Sequence, residues 1–110
     1  MMRELETLVL CKERTPRVDI NVRAEIENGC LTIYGQDFGN AVEERFGRDE
    51  YEYVYSFDER NTELLMELLT SKTPDIKKAF IDEFGGADGC MNLRRFCETN
   101  KIEYEFWSWP

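Results

Sequence analysis

The sequence predicts an α+β protein: a sheet of about five strands, antiparallel or mixed, with one short helix and a three-helix segment packed on it. Three observations carry this expectation. Residues 17–35 alternate polar and apolar around an Asn-Gly pair, residues 61–100 place apolar side chains at helical spacing, and the chain closes on "YEFWSW", again at strand period. With 110 residues and no obvious linker to divide them, the chain has material for one hydrophobic core, so a single domain over 1–110 is expected. Hydrophobic residues at 42% outweigh the charged 34%, too many for a disordered chain.

In chain order, "LETLVLCKE" reads as a strand ended by Thr15-Pro16, with a short helix as the alternative. In "RVDINVRAEIENGCLTIYG", Val18, Ile20, Val22, Ala24 and Ile26 alternate with polar residues, and Asn28-Gly29 is the pair that a two-residue type I′ turn favours. That loop fixes the register. Ile26 faces Leu31, Ala24 faces Ile33 and Val22 faces Gly35, while Glu25-Thr32, Arg23-Tyr34 and Asn21-Gln36 form the opposite, solvated face. In "QDFGNAVEERFG" the period changes, with Phe38, Val42 and Phe46 on one helical face, Asp37 as N-cap and Gly47 at C′. "EYEYVYSF" returns to strand, with Tyr51, Tyr53, Tyr55 and Phe57 on one face and Glu50, Glu52, Val54 and Ser56 on the other.

Three helices follow. The first carries Leu64, Leu65, Leu68 and Leu69; the second, capped by Thr73 with Pro74 in its first turn, carries Ile76, Ala79, Phe80 and Phe84 and stops at Gly85-Gly86. The third is capped by Asp88 and carries Cys90, Leu93, Phe96 and Cys97. The last strand lies in "KIEYEFWSW". Its "EYEF" echoes the earlier "EYEY", as two strands sharing an aromatic face would. Ile102, Tyr104 and Phe106 point to one side; Glu103, Glu105, Trp107 and Trp109 point to the other. The tryptophans then either lie under a helix or form an exposed patch, and the three helices just before the strand favour cover.

The net charge is −9, from 23 acidic and 14 basic residues scattered along the chain. Nucleic-acid phosphates and anionic membranes are disfavoured as direct partners, because that affinity needs clustered Lys and Arg. A basic protein partner fits, since complementary fields steer encounter. The start "MMRELETLVLCKER" has glutamates interrupting its apolar stretch, and no run approaches transmembrane length, so a cytoplasmic protein with four reduced cysteines is expected.

The chain has no histidine, which removes the commonest general base, the Ser-His and Cys-His pairs and the usual zinc nitrogen. None of its cysteines forms a CxxC pair, and "EFGGADGC" lacks the Lys-Ser/Thr of a phosphate loop and the spaced acids of an EF-hand. No metal and no cofactor are expected. Carboxylates abound, including Asp37, Glu43, Glu44, Asp49, Glu50 and Glu52, and no pair among them stands out. Those near Asp37, with Tyr34, Arg23 and Gln36, are the material for an enzyme or small-ligand site, and a cross-strand surface pair explains the latter three equally well.

The segments "GQDFGNAVEERFG", "EYEYVYSF" and "YEFWSW" together resemble a family of small, mostly uncharacterised bacterial proteins with a GQD-[FL]-G…VE…FG…EYEY core and an aromatic C-terminal strand. The likeness runs from Leu31 onward. It implies no catalytic residues, and small acidic bacterial α+β proteins of this type include immunity proteins, which neutralise a toxin by binding it. The expected function is a non-enzymatic acidic protein-binding module, an immunity-type inhibitor of a basic toxin or nuclease. Its binding set is Tyr34, Gln36, Asp37, Glu50, Glu52, Glu103, Glu105, Trp107 and Trp109. The alternatives are a carboxylate-based enzyme or small-ligand binder, and a self-associating homo-oligomer with the tryptophans in its interface.

Overall fold

The computed structural model describes residues 5–47 and 49–109; the side chains of Glu6, Ala41 and Phe46 lie outside the described set, and with them the place of Phe46 on its helix face. Five strands form one open antiparallel sheet in sequence order: β1 (Leu5–Arg14), β2 (Asp19–Glu27), β3 (Cys30–Phe38), β4 (Glu50–Ser56) and β5 (Glu105–Trp109). Helix α1 (Asn40–Phe46) connects β3 to β4, and α2 (Glu59–Thr70), α3 (Ile76–Phe84) and α4 (Gly89–Asn100) lie between β4 and β5.

The β2-β3 hairpin has the register that its turn chemistry dictates, from Glu27 opposite Cys30 through Val22 opposite Gly35. Asn28 and Gly29 both have positive φ, 54° and 78°, as a type I′ turn requires. β1 is a strand, and its uneven periodicity has a structural cause. The register slips between Leu5 and Leu8 and again between Val9 and Cys11, so Leu10 is an extra residue opposite β2. Consecutive Leu10 and Cys11 are therefore both buried while Val9 is exposed, and the freed Leu10 carbonyl accepts the Gly86 N–H at 2.9 Å.

One face of the sheet is covered. Ala24, Ile26, Leu31, Ile33, Tyr53, Tyr55 and Phe57 share a continuous core with Leu65, Met66, Leu69, Ala79, Phe80, Phe84, Leu93 and Cys97 from the three long helices. Gly35 is part of this fit: the Tyr53 ring lies over it so closely that a Cβ there would stand 1.9 Å from a ring carbon. The echoing strands are neighbours, with Tyr55 opposite Phe106 and ring centroids 4.8 Å apart; Tyr104 extends the row to Tyr55 and Phe57.

Several helix details differ from the sequence expectation. Asp37 is not the cap of α1, because β3 continues to Phe38 and Gly39 takes the N-cap position. α3 is capped by Asp75, whose carboxylate accepts from the backbone N–H groups of Lys77 and Lys78; Thr73 and Pro74 precede the helix. In α2, Leu65 and Leu69 are buried with Met66, Asn61 and Thr62, whereas Leu64 and Leu68 are half exposed on its outer side. Asp88 occupies the N-cap position of α4 without a side-chain capping bond.

Two buried polar residues of α2 position the strands around it. The Thr62 hydroxyl accepts the Leu31 N–H at 2.9 Å, pinning the start of β3. The Asn61 side chain donates to Asp58 and accepts the Glu103 N–H at 2.9 Å, fixing where the chain enters β5. A hydrogen bond at a buried site is costly to lose, so these contacts specify placement more than they add stability.

Candidate functional site

The face of the sheet opposite the helices is open, and strand alternation dictates what stands on it. Across the middle of the sheet the register aligns Val9, Arg23, Tyr34, Val54 and Trp107; the neighbouring row aligns Asn21, Gln36, Glu52 and Trp109. The tryptophans are therefore not covered by the preceding helices. Trp107 is 49% exposed and Trp109 46%, because the helices pack on the Tyr53-Tyr55-Phe57 side, which in β5 continues through Phe106.

The polar groups of this face are tied together. The Gln36 side-chain amide donates to Glu52 Oε1 at 2.9 Å and to Glu50 Oε1 at 3.1 Å. The Trp109 indole N–H donates to Glu52 Oε2 at 2.6 Å. Glu52 is thus held from both sides, one carboxylate oxygen by an indole and the other by an amide. Beside it the Arg23 guanidinium lies 4.7 Å above the Tyr34 ring, and the Tyr34 hydroxyl donates to Glu25 Oε1 at 3.2 Å. Burial and the adjoining Glu25 carboxylate both push the Tyr34 phenol above its ordinary range, so it stays a neutral donor. Arg23, Tyr34, Gln36, Glu52, Val54 and Trp109 line a shallow depression of about 160 Å³. That is small beside the several hundred Å³ usual for small-molecule sites.

Of the expected binding residues, Tyr34, Gln36, Glu50, Glu52, Trp107 and Trp109 are brought together here, and Glu105 borders them opposite Ser56. Asp37 and Glu103 are not. Asp37 has the opposite parity to Gln36, so it points to the helix side, where its Oδ1 accepts the Tyr53 hydroxyl at 3.3 Å. Burial raises its carboxyl above the usual carboxylate range, and the Tyr53 bond only partly offsets this. Glu103 precedes β5, in the segment held by Asn61. Val54 joins the residues of the open face: strand alternation places it on the same side of β4 as Glu50 and Glu52, between Tyr34 and Trp107.

The covered side holds Cys11, Cys90 and Cys97, while Cys30 is exposed. Burial pushes the Cys90 thiol up to about 11 and Cys97 up to about 12, so both are protonated and poor nucleophiles at neutral pH. Burial, with the neighbouring Cys90 and Asp37, also drives the Tyr53 phenol well above its normal value. The four cysteines are free thiols. Among the described residues, no group of three or more His, Cys, Asp or Glu is placed to hold a metal ion, and no helix is long and apolar enough to cross a membrane.

Fold and site together define an α+β protein in which a five-stranded antiparallel meander carries helices on one face and a bare aromatic-acidic surface on the other. The chain matches no known protein family, no curated protein and no solved structure.

Proposed function

We propose that this chain is a non-enzymatic protein-binding module whose open sheet face docks a basic protein, as an immunity-type inhibitor of a toxin or nuclease does. The observation that carries the reading is the pair of half-exposed tryptophans, Trp107 in register with Val54 and Tyr34 and Trp109 in register with Glu52 and Gln36, with Glu50 and Glu105 beside them. Large aromatic side chains are the usual anchors of interfaces, and a patch of this kind on a sheet without cover is a docking surface by preference. The carboxylates would meet Lys and Arg of the target's nucleic-acid site. Glu52, already fixed by Gln36 and Trp109, loses little side-chain freedom when it binds.

The enzyme reading draws less support. The depression on this face is shallow, and the carboxyl with the raised pKa, Asp37, sits on the other side of the sheet.

The test is capture with an N-terminally tagged chain, at low and high salt, alongside a Trp107→Ala/Trp109→Ala double variant. A single basic protein recovered stoichiometrically by the wild type, released by salt and not retained by the variant, is the expected result. A partner held equally by the variant, or held unchanged across a wide salt range, would overturn the assignment of the face and its charges.

A further inference from the structure

The two edges of the sheet are built differently. β1 is bulged twice, carries Lys12, Glu13 and Arg14 toward its end, and has its Leu10 carbonyl taken by Gly86. These are the devices that protect an edge from pairing. β5 is short and carries one charge, Glu105, but has no bulge. Its register against β4 is unbroken, all five of its residues are exposed, and among the described residues no strand pairs with its outer side.

We infer that the outer edge of β5 pairs antiparallel with β5 of a second copy of this chain, joining two meanders into one continuous ten-stranded sheet. The argument is the echo between the last two strands. Inside the chain, β4 offers Glu52, Tyr53 and Val54 to Trp109, Ser108 and Trp107. A second β5, centred on Trp107, offers Glu105, Phe106 and Trp107 to the same three residues: an acid opposite Trp109, an aromatic ring opposite Ser108 and an apolar residue opposite Trp107. The outer edge thus meets the kind of sequence that its inner edge already accepts. Parity agrees as well. Glu105, Trp107 and Trp109 stay on the open face, and Phe106 and Ser108 on the helix side, as direct antiparallel partners must. The Trp109 ring would lie between Glu52 of its own chain and Glu105 of the second copy, its electropositive edge toward both carboxylates. The twofold axis passes through Trp107, so the contact is isologous and closes at a dimer. Pairing uses the edge and leaves the open face free, so it stands or falls independently of any basic partner.

The interface is small and each chain carries −9, so the dimer is weak and strengthened by salt. Sedimentation equilibrium of the full chain at moderate salt, in a series reaching about 1 mM, the weak end of specific association, should show a reversible rise to the dimer mass. Trp107→Glu places two carboxylates on the axis and should hold the mass at the monomer, with an unchanged circular dichroism spectrum. Monomer at every concentration for the wild type overturns the inference, as does equal dimerisation of the variant. Should Trp107→Glu unfold, Trp107→Cys in a Cys30→Ser background decides. Residues on the axis are directly opposite and within disulfide reach, so mild oxidation should cross-link position 107 and not a cysteine placed at Trp109. No cross-link at 107, or equal cross-linking at both, rejects this register.

Discussion

The same five strands present two faces with opposite fates. On the helix side, Ile33, Tyr55 and Phe57 are all but fully buried and share one core with Phe80, Phe84 and Leu93. On the other, Tyr34 and Val54 are only partly buried, with the Arg23 guanidinium over the Tyr34 ring, and Trp107 and Trp109 are half exposed. Hydrophobic side chains are thus present on both sides in amounts that cover could have used. Stability belongs to the first face and, in the function proposed, recognition to the second, and substitutions on the two should separate these properties.

The largest effect is expected in the core. Phe80→Ala removes a fully buried ring between sheet and helix and should cost about 3–5 kcal/mol in denaturant unfolding; a loss near that of an exposed position would mean the covered face is not the core. Gly35→Val tests the contact between β3 and Tyr53. Its side chain must displace the ring lying over Gly35, and overpacking of this kind costs about 1–3 kcal/mol, with the near-ultraviolet tyrosine signal altered. Full stability with an unchanged tyrosine signal would show that Tyr53 lies elsewhere.

Asp37 sharpens the boundary between the faces. Its folded-state pKa is raised, so the stability that it contributes is complete below the unfolded-state value near 3.8 and is lost as pH rises through the folded value. Asp37→Asn keeps an acceptor for the Tyr53 hydroxyl and removes the titration. The variant should gain stability over wild type at neutral pH and show a flatter stability profile through the acid range. A variant less stable at pH 7 than wild type would place this carboxylate among the favourable charges.

The smallest stability change is expected on the open face. Trp107→Ala and Trp109→Ala should each change unfolding by no more than about 1 kcal/mol. Against a basic partner, the same truncations should weaken binding by about 2 kcal/mol or more, roughly thirtyfold in Kd, measured by calorimetry. A tryptophan whose loss unfolds the protein would erase the distinction between the faces.

Much of this architecture is legible locally. Asn28-Gly29 with flanking alternation dictates one hairpin register, since a slip of one residue would put Ala24 and Ile33 on opposite faces of the sheet. The tyrosine face of β4 and its pairing with β5 follow from the same period. Local signals fail where a neighbour intervenes. The bulge at Leu10 broke the strand period in β1, and Asp37 answers to the pleat of β3 rather than to the helix that follows. In α2 the choice between Leu64 and Leu65 as core depends on which side the sheet approaches, and Asn61 and Thr62, buried for the hydrogen bonds they make, have no apolar signature.

Sequence by itself determined the β2-β3 hairpin, β4, the three later helices as elements and which residues of those strands share a face, because these follow from backbone period and turn stereochemistry within a few residues of each position. Only the tertiary structure decided which face of β5 the helices cover. Both of its faces are aromatic, so burial energy alone does not choose between them. The choice falls to contacts made at a distance: Tyr55 and Phe57 continue the core of β3 onto the Tyr104-Phe106 side, and Asn61 of α2 holds the Glu103 N–H at the entrance to the strand. That leaves Trp107 and Trp109 facing solvent.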